Sequence, residues 1–234
     1  MENSSFGRVI AVLFQPTKVF TKLAETPTWG VALIVLLLFG AISGYIVTQK
    51  MDWNDVVTHS VEARGAQLNS QQLERATAMQ KRMGPYLGVG GAVVGGTIGY
   101  LLITLLFWVG LKLAGSDISY QTSFSTTLHG MMPLAVEALI SIPVLLSMGR
   151  VGWLETQRGI LATNLAFLAP QGTSIPMLGL MKSVDLFTFW SLALLSIGFA
   201  ITGKVSRKAS ISVAIGLWVL WVLVKFGFAF LMHH

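Results

Sequence analysis

Two ionisable residues stand where water is scarce. Glu137 lies inside an apolar run at 124–148, and Lys225 lies inside another at 211–232. A charge in hydrocarbon is costly, so such residues are functional candidates by default. Glu137 is about thirteen residues into its run and Lys225 about fourteen into its own, both in the same chain direction. At ~1.5 Å per residue both reach roughly 20 Å into the layer, so an ion pair, direct or through water, is predicted. It would either hold two helices in register or serve a transport or proton path. His129 stands two turns before Glu137, with Pro133 between them on nearly the same face. A proline inside a helix frees the carbonyl four residues earlier, here that of His129 itself. The result is a kink that either packs or lines a polar cavity, with Glu137, His129 and Lys225 in it.

Other chemistries fit less well. Of the four histidines two are terminal, His233 and His234, and no His-x-x-x-His or mixed ligand spacing occurs, so no metal and no cofactor are expected. Intramembrane hydrolysis needs a nucleophile–base pair or two facing carboxylates, and Glu137 has no deep acidic partner in the sequence. The protein is expected not to be an enzyme. Asp185 opens the run 184–202, where a carboxylate suits the positive end of a helix. Gly91, Gly95 and Gly99 repeat every four residues, with Gly84, Gly88 and Gly96 on a neighbouring row, and Gly40 and Gly44 repeat likewise in an earlier run. Such rows form grooves for close helix packing, within the chain or between copies. A phosphate cradle would need a Gly-Lys-Ser/Thr ending after a strand, which is missing.

These residues are positioned by apolar helices. The chain has 234 residues, of which 53% are hydrophobic and 11% charged, far below the roughly 25% charge of a soluble domain. Its net charge of +6 is spread through loops and the flanks of apolar runs, which fits anionic lipid headgroups and not nucleic acid. Cysteine is absent, which excludes disulfides and thiolate sites. No cleavable signal peptide is expected, because the first apolar stretch is short and interrupted by Pro16.

The expected fold is an all-α integral membrane protein with five transmembrane helices. The spans fall at about 29–48, 87–113, 124–148, 184–202 and 211–232, after an amphipathic lead at 1–28. In that lead Pro16 suits a first helical position, Val19, Phe20 and Leu23 share a face, and Lys18 and Lys22 point away, as in an interfacial helix. An N-inside orientation places seven cations inside (Arg8, Lys18, Lys22, Lys112, Lys204, Arg207, Lys208). Eight lie outside (Lys50, Arg64, Arg75, Lys81, Arg82, Arg150, Arg158, Lys182). The tally is even, but the bias acts through short loops, so the turn at 204–208 favours a cytoplasmic N-terminus and an external C-terminus. In the loop 51–85, Asn69 and Gln72 resemble a capping box for a helix that Gly84-Pro85 should end. In the loop 149–182, the apolar stretch 160–168 is too short to span and should fold back against the bundle or lie in the outer interface.

The later spans resemble the Yip family, named for interaction with Ypt/Rab GTPases, and in particular its compact bacterial branch. The residues that carry this are Gly115 through Tyr120, then Gly130 and Pro133, the opening from Asp185 to Trp190, and Lys208-Ala-Ser. Pro16 through Phe20 and Pro27-Thr-Trp29 match the short lead of such proteins. The resemblance implies a five-helix membrane domain with a cytoplasmic N-terminus, in a bacterial cytoplasmic (inner) membrane. Eukaryotic relatives bind Rab GTPases through a longer polar N-terminal region, so that activity is not carried over. Bacterial relatives look like companions of ABC-type export systems, and the family offers no catalytic residues to transfer. The expectation is a scaffold or accessory subunit of an export or trafficking complex, with the bilayer, a membrane-protein partner or a second copy as its contacts. The alternative is a lipid- or small-solute-moving protein with a polar cavity between spans.

Overall fold

The computed structural model describes residues 4–63 and 65–232, and the readings that touch Arg64, His233 and His234 lie outside the described residues. Helices α1 (Ser5–Ala11) and α2 (Pro16–Glu25) precede α3 (Gly30–Lys50) and α4 (Trp53–Glu62). A 44-residue rod follows: α5 (Ser70–Gly90), a π-helical turn (Gly91–Gly95) and α6 (Gly96–Leu113). Then come α7 (Tyr120–Gly130), α8 (Met132–Ser147), α9 (Trp153–Arg158), α10 (Ile175–Lys182), α11 (Leu186–Thr202) and α12 (Arg207–Met232). Among the described residues the only β pairing is two isolated bridges, Met51 with Val151 and Asn164 with Asp185.

Four helical stretches are long and apolar enough to cross a membrane: Gly30–Lys50, Ser70–Leu113, Tyr120–Ser147 and Arg207–Leu231. Helix α11 is apolar but has 17 residues, about 25 Å at 1.5 Å per residue. The fold is therefore an all-helical membrane architecture. α3 lies between α5 and α8, α11 packs on α2, α7 and α12, and α6 packs against α7 and α12. Many large apolar side chains on α3, α5, α6 and α12 stay exposed, as a surface facing lipid requires.

At the end of the bundle that holds the N-terminus, the proximal end, α2 behaves differently from the expectation of an apolar face turned to lipid. Val19, Phe20 and Leu23 are buried against protein, chiefly α11 and α7. The reason is Gly198: a methyl group there would meet the Phe20 ring at 2.8 Å, so the missing side chain is the slot for the ring. Helix α1, too short to show a clear period, and the turn after it have Val9 and Val12 buried and Phe6, Ile10 and Phe14 exposed. Arg8 links α1 to the start of α3 by donating to the Thr26 carbonyl at 3.0 Å and the Thr28 hydroxyl at 3.3 Å. The two short proximal turns are joined as well. Ser116 donates its hydroxyl to the Gly203 carbonyl at 2.6 Å, with Gly115 at φ 86° and Lys204 at φ 51° shaping the two turns.

The third apolar stretch is broken. Met131, at φ −90° and ψ 5°, separates α7 from α8, two residues before Pro133. The second stretch also departs from expectation. The reciprocal cap of Asn69 and Gln72 forms at 2.9 and 3.0 Å, but the helix runs straight through Gly84-Pro85. Pro85 forfeits one hydrogen bond on an exposed stretch of helix, where water can take the freed carbonyl, and Gly84 lets Trp53 pack directly on the helix backbone.

At the opposite, distal end a clasp ties the end of α3 to the chain after α8. Asp52 N–H donates to the Val151 carbonyl at 2.8 Å and Val151 N–H to the Lys50 carbonyl at 2.9 Å. Arg150 pairs with Asp52 at 3.2 Å, and Trp153 N–H donates to Asp55 Oδ2 at 2.6 Å.

Candidate functional site

Four charged residues of the distal half, Glu137, Lys182, Asp185 and Lys225, meet in one cavity of about 260 Å³. Helix α8 supplies Glu137; α12 supplies Trp218, Trp221 and Lys225, which share a face at helical spacing. Lys182 ends α10, and Ser183, Asp185 and Thr188 carry the chain into α11. The return loop contributes Gly159, Ile160, Leu161 and Asn164, so the stretch 160–168 begins as a wall of the cavity. A larger hollow of about 400 Å³ between α4 and α5 has Glu74 as its one charged wall residue and gathers no comparable chemistry.

The walls are built by capping. Asp185 Oδ1 accepts from Phe187 N–H at 2.8 Å and Thr188 N–H at 3.1 Å, starting α11, while Oδ2 accepts the Thr163 hydroxyl at 2.6 Å. Leu186 N–H then donates to the Thr163 carbonyl at 3.1 Å, and Asn164 Nδ2 donates to the Arg158 carbonyl at 3.0 Å, fastening the return loop over α11. Lys182 Nζ donates to the Thr156 carbonyl at 3.2 Å, and Lys225 Nζ to the Ser183 hydroxyl at 3.3 Å. Each ammonium has three donors and uses one here. Burial, then the Lys225 ammonium, lowers the pKa of Lys182, with Glu137 pulling the other way.

Glu137 makes no hydrogen bond or ion pair among the described residues. The predicted direct contact with Lys225 is thus not made: the two charges face a common cavity, with Lys182 close enough to act on both. Asp185, at the start of α11, lines it too and stands as an acidic neighbour of Glu137. That carboxylate is already engaged by two backbone donors and a hydroxyl.

His129 and Pro133 do not line this cavity. His129 is 1% exposed in the proximal half, where Nδ1–H donates to the Ser125 carbonyl at 2.9 Å, so its Nε2 lone pair has no partner. The hydroxyls of Ser123, Thr127 and Ser191 are likewise buried and unpartnered. Pro133 is buried at the second position of α8, where a missing N–H costs nothing.

In the sequence Lys182 reads as an ordinary loop cation, and Trp218 and Trp221 read as residues of an interfacial belt or of the packing. The i, i+3, i+7 spacing of Trp218, Trp221 and Lys225 was the available signal.

The glycine rows divide by role. Within the chain the close approach is between Gly44 and Gly88, where a methyl group on either would meet the other's carbonyl oxygen at 2.8 or 2.6 Å. Gly40 faces Ala92, and Gly96 faces Leu37. The row Gly91, Gly95 and Gly99 has nothing within 4 Å where a side chain would project.

The landmarks Gly115 to Tyr120, Asp185 to Trp190 and Lys208 fall at helix junctions: Asp185 caps α11, Trp190 stacks on Phe187 at 6.4 Å, and Lys208 is exposed in the first turn of α12. Residues 10–229 match the Yip1 domain. The chain belongs to the Yip1 domain family. The chain is similar to the membrane protein YknW of Bacillus subtilis (strain 168), 27% identical over 219 residues that cover 92% of this chain and 87% of that one. No solved structure matches the chain. This is a Yip-family membrane protein.

Proposed function

We propose that the protein is a non-enzymatic membrane scaffold or accessory subunit, in which the open row Gly91, Gly95 and Gly99 receives a helix of a partner protein or of a second copy. The observation that carries this reading is the empty space over all three glycines, on a rod whose flanking Val94, Ile98 and Leu102 are exposed. Between helices in lipid, association rests on such small-residue contacts because there is no hydrophobic drive. The π-helical turn begins at Gly91, and such turns occur often at functional sites.

Five crossings are part of the reading. Helix α11, capped by Asp185 and ended at the Gly203–Lys204 turn, is about 25 Å long and packs beside α12, enough for a fourth crossing. An inner-membrane location with the N-terminus in the cytoplasm is supported by Lys18, Lys112, Lys204, Arg207 and Lys208, all exposed at the proximal end. Four distal cations are instead held by protein groups: Lys50 by the Met148 carbonyl, Arg150 by Asp52, Arg158 by the Ala169 carbonyl and Lys182 by that of Thr156. Phe6, Ile10 and Phe14 of the α1 region form the surface that would enter the interface.

Isolation in mild detergent from the native host tests the reading. Wild-type protein should bring membrane subunits with it, ABC-type exporter components among the candidates, or a second copy. Gly95→Leu should lose them while its own fold persists; retention of every partner by that variant would reject the docking row. The cavity keeps a second reading alive, a lipid- or solute-moving protein, which solute flux through vesicles containing the protein alone, abolished by Glu137→Gln, would favour.

A further inference from the structure

The cavity between α8, α10, α11 and α12 holds an arrangement that helix packing does not explain. Glu137 presents a carboxyl group without a partner among the described residues, while Lys182 and Lys225 present ammonium groups with donors to spare. Asp185 is committed to capping. What remains is one negative and two positive groups around about 260 Å³, roughly nine waters' worth of space at about 30 Å³ each. A half-buried carboxylate that faces ammonium groups across a cavity without touching them leaves room for a ligand between them.

We propose that this cavity binds the headgroup of an aminophospholipid of the phosphatidylethanolamine type, its phosphodiester between Lys182 and Lys225 and its primary ammonium on Glu137. A phosphate takes two cationic donors well, and a carboxylate without other donors takes an N–H-bearing ammonium. Choline has no N–H to give and is bulkier. The ligand is zwitterionic, so it pairs the charges of the site without adding a net one.

The lipid source of that group follows from the walls. Trp221 lines the cavity and is also 62% exposed, so the cavity communicates with the outer surface of the bundle. Beside it Val224 of α12 and Leu186 and Phe189 of α11 are exposed apolar groups on which acyl chains can lie. The cavity stands at the start of α11, where loop meets span, the depth of a headgroup. A soluble phosphoethanolamine diester shares the polar chemistry but has no use for that apolar rim.

The full chain, purified in mild detergent without partners, is equilibrated with equal amounts of phosphatidylethanolamine, phosphatidylcholine and phosphatidylglycerol of identical acyl chains. Bound lipid is counted by native mass spectrometry. Phosphatidylethanolamine should be retained over phosphatidylcholine by about tenfold, the scale of one charge-assisted hydrogen bond. Glu137→Gln should bring that ratio close to one while phosphatidylglycerol retention persists. Lys225→Gln should lower retention of all three lipids. Trp221→Ala, at an exposed position that folding tolerates, should weaken retention without altering the ratio. Equal retention of ethanolamine and choline lipids by wild type, or an unchanged ratio in Glu137→Gln, overturns the proposal. Glycerophosphoethanolamine competing at equal concentration as well as the lipid itself overturns the lipid assignment, since the apolar rim would then contribute nothing. Because no partner is present, failure here leaves the glycine-row reading untouched, and the reverse also holds.

Discussion

Gly44 and Gly88 work by what they lack. Their backbones approach so closely that a side chain on either collides with a carbonyl oxygen, which cannot turn aside. Gly88→Leu is expected to destabilise the protein by about 2–3 kcal/mol through overpacking, whereas Gly95→Leu stays within about 0.5 kcal/mol of wild type. Reversible unfolding in mixed micelles measures both, and equal losses would show that the two rows are not distinct. Phe20 is the complementary case, a large side chain seated where Gly198 has none. Phe20→Ala leaves a cavity and should cost about 3–4 kcal/mol, releasing α2 to protease before the rest of the bundle. Which glycine meets which partner was not readable from spacing, because two rows on one helix carry the same repeat. The face that turns inward is settled by α3, far away in the chain.

Elements are held at the distal end by polar contacts instead of a large apolar core, and the clasp there is sensitive to acid. Asp52 is held below its ordinary carboxylate range first by the Asp55 N–H and then by Arg150. A carboxyl whose folded pKa is depressed stabilises the folded form above its unfolded pKa, and that contribution is lost as pH falls through the folded value. Protection of the Asp55 and Asp52 amides, the unfolded chain's exchange rate at the same pH over their own, should therefore fall below about pH 4, the ordinary carboxylate value, and hold steady between pH 6 and 8. Arg150→Ala should raise the pH at which protection begins to fall; an unmoved onset would remove Arg150 from the clasp. Elements with a strong local signal were legible: Pro16 opens α2, Asn69 caps α5 and Asp185 caps α11. Helix α1 was not, since seven residues show too little period, and the passage through Pro85 was not, since proline's cost depends on whether solvent can reach the freed carbonyl.

For the whole molecule, tags at the two termini should report opposite sides of the membrane, with the N-terminus inside, as an odd number of crossings requires. Both tags on one side would remove α11 as a crossing. The membrane class was written in composition and run length. The companionship of Glu137 and Lys225 with Lys182 and Asp185 was not, because it depends on the return loop folding over α11 by bonds such as Thr163 to Asp185. The π-helical turn has a bearing on how this chain can change over generations. A π turn takes up one more residue than an α turn while leaving the helix beyond it facing nearly the same way. Removing one residue from 91–95 would therefore restore a regular helix with Thr104, Phe107 and Leu111 still turned inward. Removing one from 100–103 would instead rotate those three by about 100°, one residue's share of a 3.6-residue turn. Descendants of this chain should therefore tolerate a one-residue deletion in the π turn far better than one a turn or two beyond it.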